Sequence, residues 1–349
     1  MDVAYSEIVY LKDPDMQTLK ADYEQFLLSL CAPTVIDISG QQQHRTRVIV
    51  TLIHGNEPSG LIACHRFLTS LNGGSRPITN VRFIICSIEA ATLRPRFSHR
   101  YLPGGEDLNR CFNQNGKAGY VQRAKLIAEA ISEVTPEVVV DLHNTSGFSP
   151  AFSVSIMKNE MALSITSLFC HALILSQIRL GALMEQDFGC PTITIECGGS
   201  QDAQSHEVAY LGISKLAHWD NIQNCHQQNP VGIYLNPLRL QIKNHIPLHY
   251  ADIDLGEAGV TLIDHIEQHN FGIVYAEQML GWVDHHGLDN LTLLDANGIE
   301  QINAYFHLRG NQLLPKRPIR IFMATRQADI ARNDCLFYLV NEDNHFRAC

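Results

Sequence analysis

The feature that most constrains this chain is a rhythm in its first two-thirds. Short, all-apolar, β-branched runs alternate with longer segments of helical spacing. Val48-Ile49-Val50-Thr51-Leu52-Ile53, Val81 to Ser87, Val138-Val139-Val140-Asp141-Leu142, Phe152 to Met157 and Thr192 to Ile195 read as strands. Pro58 to Leu71, Ala118 to Val134, Met161 to Ile178 and Ala203 to Trp219 read as helices, the first opening on a proline whose missing N–H costs nothing there. Strands without a polar face must be covered on both sides. The expected class is therefore α/β, a mainly parallel mixed sheet flanked by helices.

The pattern changes near Asn229-Pro230. Beyond it, short strand-like runs are separated by turn signals at Asn236-Pro237, Leu255-Gly256, His286-Gly287, Asn297-Gly298 and Arg309-Gly310. The expected division is an α/β domain over 1–228 and a smaller C-terminal β-rich domain over 229–349, which suits a chain of 349 residues. Residues 1–45 are expected as an appendage, with a helix near Gln17 to Leu30.

A formal net charge of -10 argues against a nucleic-acid partner, which normally calls for a basic face. The ten cysteines include no Cys-x-x-Cys pair, and Cys86 and Cys197 sit in apolar runs, so they read as small buried hydrophobes rather than a disulfide framework. Met1 to Glu7 lacks the basic and apolar segments of a signal peptide, and the apolar region from Phe152 to Met184 is broken by Lys158, Glu160, His171 and Arg179. These readings predict a cytoplasmic protein with no membrane partner; the oligomeric state is not legible.

Chemistry-bearing residues gather where the strands end. His54 follows Ile53 with Glu57 three positions on, His143 follows Asp141-Leu142, and Glu196 closes Thr192 to Ile195. Open α/β sheets bind ligands beyond the carboxyl ends of their strands. Each residue alone has an ordinary reading: His-x-x-Glu as a helix start, His143 as a hydrogen-bonded core residue, Glu196 as a helix cap. Four placements at one sheet edge favour a site. Two imidazoles and a carboxylate leave zinc one open position for a water of lowered pKa, the catalytic pattern. A free carboxylate nearby, Glu196, can move the proton.

The loop Ser98-His99-Arg100-Tyr101-Leu102-Pro103-Gly104-Gly105-Glu106-Asp107-Leu108-Asn109-Arg110 is a shaped turn carrying guanidinium groups, natural partners of carboxylates, and Arg100 can steady an oxyanion. No Gly-x-Ser-x-Gly elbow, P-loop or Gly-x-Gly-x-x-Gly fingerprint occurs. The adjacent His285-His286 reads as surface.

His54-Gly55-Asn56-Glu57, Asp107-Leu108-Asn109-Arg110 and Asp141-Leu142-His143-Asn144-Thr145, in this order, resemble the signature of the succinylglutamate desuccinylase/aspartoacylase family, a branch of the zinc carboxypeptidase-like fold. The resemblance runs from about Val48 to Gly199. It implies one zinc ion on His54, Glu57 and His143, with Glu196 as general base. It also implies Asn109 and Arg110 on a substrate carboxylate, with Asn144 beside them, Arg100 polarising the scissile carbonyl, and Asp141 behind a ligand or closing its strand. Arg100 stands farther from Arg110 than in typical aspartoacylases, which leaves Arg82, Arg94 and Arg96 as stand-ins. Glu185 to Cys190 lacks the arginine with which aspartoacylases read an acidic side chain; Arg179 is the nearest upstream. Tyr250 and Tyr275 are candidates for a tyrosine that some relatives supply from the second domain.

The expected activity is zinc-dependent hydrolysis of an amide bond in a small carboxylate-bearing substrate such as an N-acyl amino acid, with zinc-bound water as nucleophile. One alternative is a zinc carboxypeptidase acting on peptides or cell-wall fragments. A β domain roofing the metal favours small substrates and an open groove favours peptides. Another alternative is a metal-binding protein without catalysis.

Overall fold

The computed structural model describes residues 4–15, 19–223, 225–227, 229–342 and, as backbone, 345–347. Nine strands are labelled in chain order: β1 (Val9–Lys12), β2 (Thr34–Ile38), β3 (Gln42–Thr51), β4 (Thr79–Ile85), β5 (Val138–Thr145), β6 (Phe152–Ser155), β7 (Ala172–Leu175), β8 (Thr192–Gly199) and β9 (Gly232–Leu235). Together with the strand His345–Arg347 they form one ten-stranded sheet ordered β1-β2-β4-β3-β5-β8-β6-β7-β9, closed by that last strand. The centre, β4-β3-β5-β8, is parallel. Antiparallel pairs join β2 to β4, β6 to β8, and β9 to the strand His345–Arg347. The mainly parallel mixed sheet is as expected.

The helices are α1 (Tyr23–Ser29), α2 (Ser59–Ser70), α3 (Ile88–Thr92), α4 (Gly119–Ser132), α5 (Glu160–Phe169) and α6 (Ala203–His218). On one face of the sheet, Phe67 and Leu68 of α2, Leu163 and Leu168 of α5 and Ile213 and Leu216 of α6 join Ile49, Phe83, Val140 and Ile193 in one buried cluster. On the other, Ala124, Ile127, Ala130 and Ile131 of α4 pack on Val48, Val50, Ile84 and Val139. Alternate residues of the central strands thus enter opposite cores, which is why those strands carry no polar face.

Three expectations need correction. The segment Met161 to Ile178 is not one helix: α5 ends at Phe169, Cys170 is extended, and Ala172–Leu175 is the buried strand β7. A short run buried on both sides has no strand-type alternation to set it apart from the end of a buried helix. The first forty residues do more than append, since β1 and β2 extend the sheet edge; the expected helix near Gln17 to Leu30 forms over Tyr23–Ser29, and 16–18 lie outside the described residues. The expected break at 228/229 falls before β9, which pairs with β7 in the main sheet.

From Leu238 onward, two five-stranded sheets enclose a separate apolar cluster that includes Leu240, Val260, Leu293, Phe306 and Phe337. A smaller cluster of Phe152, Ile174, Tyr234, Phe322 and Val340 ties these sheets to β6, β7 and β9. Phe148 and Arg326 donate backbone N–H groups to Glu267, and Asn270 Nδ2 donates to Phe148 O at 2.7 Å, so the loop after β5 is stitched to the second half. No helix among the described residues is long and apolar enough to cross a membrane.

Candidate functional site

The turn after β3 delivers the first two residues of the site. Leu52 takes a left-handed conformation at φ 56°, which costs an L-residue about 1–2 kcal/mol. The bend is held from the neighbouring strand end: Ser87 N donates to Leu52 O at 2.8 Å, and Ser87 Oγ to Ile53 O at 2.7 Å. Gly55 N then donates to Arg100 O at 2.9 Å. A Cβ at Gly55 would lie 2.7 Å from Ala90 Cβ, Ala91 N and His99 O, so only glycine lets this turn nest against α3 and the arginine loop. Glu57 stands two residues before α2, where the helix N-terminus favours a carboxylate.

The remaining residues come from the sheet itself. Asp141 and His143, two apart on β5, share a face, and Asp141 Oδ2 lies 2.8 Å from His143 Nε2. Across the sheet His143 is in register with Glu196 and Asp141 with Thr194. Glu196 is in turn opposite Phe152, Thr194 opposite Val154, and Val154 opposite Ile174. One face of β5, β8, β6 and β7 is therefore a floor that passes from carboxylates and imidazole to apolar side chains.

Above that floor His54, Glu57 and His143 converge. Glu57 sits between the imidazoles, Oε1 at 2.9 Å from His54 Nδ1 and Oε2 at 2.7 Å from His143 Nδ1. All three side chains are buried, and one ligand atom from each lies within 4.8 Å of the others, a group able to hold a metal ion. Each histidine is backed at its far nitrogen: His143 Nε2 by Asp141, and His54 Nε2 by Asp107 Oδ1 at 2.9 Å. Burial works against charge on His143, but the Asp141 and Glu57 carboxylates outweigh it and hold the imidazole well above its ordinary pKa. Burial likewise opposes ionisation of Glu57, yet the two imidazoles hold its carboxyl well below the usual range.

Asp107 is the residue that sequence reasoning missed. Besides His54 it takes Arg100 Nε and Nη2, both at 3.1 Å, and its Oδ1 accepts Asn109 N at 2.8 Å. Arg100 also reaches Glu57 Oε1 through Nη1 at 3.2 Å. It is thus Arg100 that stands at the site. Arg82 is spent on Asp37 and Glu133, Arg96 pairs with Glu24, and Arg94 lines a different hollow. The signal for Asp107 lay in its own motif, Asp107-Leu108-Asn109-Arg110, where only the last two were given work.

Glu196 is buried, and its Oε2 has no hydrogen-bond partner among the described residues. Burial raises its pKa to about 7, with Glu57 adding and the His143 and His54 imidazoles opposing. A buried unsatisfied carboxylate oxygen is costly unless something else answers it.

A cavity of about 130 Å³ opens from this group, with His54, Glu57, Arg100, Asn109, Arg110, His143, Asn144 and Glu196 in its lining. Arg110 donates to Asn109 O at 3.0 Å and lies 3.7 Å from Asp334, a residue of the second half that also takes Arg239 Nη2 at 2.5 Å. Asn109 Oδ1 accepts Leu183 N at 2.9 Å, which pins the loop between β7 and β8. Asn144 lines the cavity with its amide already committed: Nδ2 donates to Ser59 Oγ and Gly198 O, and Oδ1 accepts Ser59 N. Pro237, Phe322, Met323, Asp334 and Tyr338 line the cavity from the C-terminal half. Tyr250 donates to Thr325 O, Tyr275 is exposed, and neither lines the cavity, so Tyr338 is the tyrosine that this half brings there. Arg179 is exposed and outside the lining.

With that geometry in hand, residues 43–211 match the model of the succinylglutamate desuccinylase/aspartoacylase catalytic domain. No curated protein matches the chain in sequence. Among solved structures, succinylglutamate desuccinylase from Vibrio parahaemolyticus is similar at 13% identity and a TM-score of 0.61, over 94% of this chain and 99% of that one. Murine aminoacylase 3 is similar at 16% identity and 0.58, over 88% and 98%. The succinylglutamate desuccinylase of Chromobacterium violaceum is similar at 14% and 0.54, over 92% and 98%. At these identities the likeness is one of fold, and it extends through the C-terminal half.

Proposed function

Because the chain belongs, through its segment 43–211, to the succinylglutamate desuccinylase/aspartoacylase family, we propose that it is a zinc-dependent hydrolase of an amide bond in a small N-acyl amino acid. The observation that carries this reading is the joint placement of His54, Glu57 and His143 with Glu196 Oε2, unpartnered among the described residues, in the lining of one cavity.

The donor set fits zinc. Two imidazoles and a carboxylate are the catalytic type, and Asp107 and Asp141 fix the ring orientations as carboxylates behind zinc-bound histidines do. When bound, the ion supplies Lewis acidity toward the amide carbonyl and a water of lowered pKa. Glu196 Oε2 accepts the proton of the attacking water and returns it to the leaving nitrogen. Arg100, held by Asp107, presents its guanidinium to the oxygen that becomes negative. Arg110, with the free Nδ2 of Asn109, receives the substrate carboxylate. Asn144 belongs to the scaffold: its backbone N–H reaches Glu57 Oε2 at 3.2 Å, and its amide braces the start of α2.

The second half of the chain supports small amides over peptides or cell-wall fragments. Phe322, Met323 and Tyr338 of that half line the cavity, whose volume of about 130 Å³ suits a small substrate. The test is direct. The zinc-loaded protein is expected to hydrolyse at least one N-acyl amino acid, lose that activity on chelation and regain it with zinc. Hydrolysis of peptide C-termini in its place would move the reading to the carboxypeptidase class; zinc binding with neither activity would leave a metal-binding protein.

Asp107→Asn should weaken zinc binding about 10–100-fold, the usual effect of losing a carboxylate behind a histidine ligand. It should also release Arg100, so that kcat falls even at saturating zinc. Competition with a chromophoric chelator measures the first effect. An unchanged zinc affinity would mean that Asp107 does not orient His54.

A further inference from the structure

The cavity lining is polar around the candidate metal group. Beside that group Phe152 and Val154 of β6, Ile174 of β7, and Ile178, Leu180 and Met184 of the loop after β7 form an apolar wall, interrupted by Ser176, Thr194 and Glu185. The first three continue the sheet face that carries Glu196 and Thr194. The other three ride on a loop that is built in place: Glu185 Oε1 accepts the N–H groups of Leu180 at 2.7 Å and of Gly181 and Ala182 at 3.1 Å, while Asn109 holds Leu183 N.

The charges of the lining are unevenly employed. Apart from the histidines, its cationic side chains are Arg100 and Arg110. Arg100 spends Nε, Nη1 and Nη2 on Asp107 and Glu57. Among the described residues the Arg110 guanidinium has one hydrogen bond, to a backbone carbonyl, and a loose 3.7 Å approach to Asp334, which is itself held closer by Arg239. Glu185 and Asp334 add negative charge to the walls. One guanidinium is therefore available for one carboxylate, and a second carboxylate would be buried against apolar side chains without a partner.

We infer that the cavity takes an N-acyl amino acid with a single carboxylate and an uncharged, apolar remainder, and that it rejects dicarboxylates. This rests on the amide-hydrolase reading above and names its substrate class. The carboxylate sits on Arg110, the amide faces Glu196 and Arg100, and the apolar group lies along Ile174, Ile178 and Met184.

The experiment uses zinc-loaded protein with N-acetyl-leucine and N-acetylphenylalanine against N-acetylaspartate and N-succinylglutamate. The inference expects kcat/KM about a hundredfold or more higher for the better monocarboxylate. Met184→Arg and Ile178→Arg, at half-buried rim positions that can accept a long side chain, should each shift that ratio toward the dicarboxylates at least about tenfold. Equal or better turnover of the dicarboxylates by the native protein overturns the inference and leaves the amide-hydrolase reading standing. If none of the four is hydrolysed, the reading fails, and calorimetric titration with the same compounds still decides the cavity: tighter binding of N-acetyl-leucine than of N-acetylaspartate supports the inference, and the reverse order overturns it.

Discussion

Replacing Glu196 by Gln is expected to lower kcat by about a hundred- to ten-thousandfold, the range for loss of a positioned general base, while one zinc per chain stays bound. The substitution keeps the shape of a side chain that the three-residue metal group does not include. What it removes is the proton acceptor, a buried carboxylate oxygen of the cavity lining with no hydrogen-bond partner among the described residues. The pH dependence carries the same signature. Burial lifts Glu196 to about 7, and a cation bound nearby favours its charged form, so the acid limb of kcat/KM should lie at or below that value. Activity then falls as pH drops through the limb, because a protonated carboxyl cannot accept another proton. In the Gln variant the residual activity should lack that limb. Near-native turnover with bound zinc would remove Glu196 from the mechanism.

Glu57→Ala is expected to lower zinc affinity by more than about a hundredfold, beyond the effect of losing a partner behind a ligand, and to abolish activity at equimolar zinc. Glu57 is the hub of the group: each of its oxygens meets one imidazole, Oε1 also meets Arg100, and Oε2 receives Asn144 N. Its removal leaves two histidines with no negative charge between them. It also orphans a buried backbone N–H, so a stability loss of about 1–3 kcal/mol should accompany it. Metal analysis after gel filtration, with a thermal melt to show that the variant is folded, separates the two effects. Full zinc retention by a folded variant would place the ion elsewhere.

The parts of the site written in local sequence were legible. Val48 to Ile53 and Val138 to Leu142 are buried on both faces, so their ends mark a sheet edge, and His54 and His143 stand there. Glu57 was readable through its fixed offset from His54 and the proline that opens α2. What escaped depends on contacts between distant residues. Asp107 meets His54 across 53 positions of chain, and nothing local separates such an aspartate from a turn residue. β7 looked like a helix end because full burial erases period-two alternation. The β1 and β2 strands join the sheet only by pairing at its edge. Tyr338 and Asp334 reach the cavity because the C-terminal sheets dock through Phe152, Tyr234 and Phe322, and no pattern in the sequence around them announces which residues face the candidate metal group. The apolar wall was half legible: the missing arginine between Glu185 and Cys190 could be seen, but the floor supplied by β6 and β7 could not.

The central claim is that zinc is held by His54, Glu57 and His143. The most direct test is the X-ray absorption spectrum of the zinc-loaded protein at the zinc edge. The account predicts nitrogen and oxygen scatterers at about 2.0–2.2 Å, with the multiple scattering of two imidazoles and no sulfur shell. A sulfur shell at about 2.3 Å would contradict it, since it would put one of the chain's cysteines on the metal in place of a residue of this group.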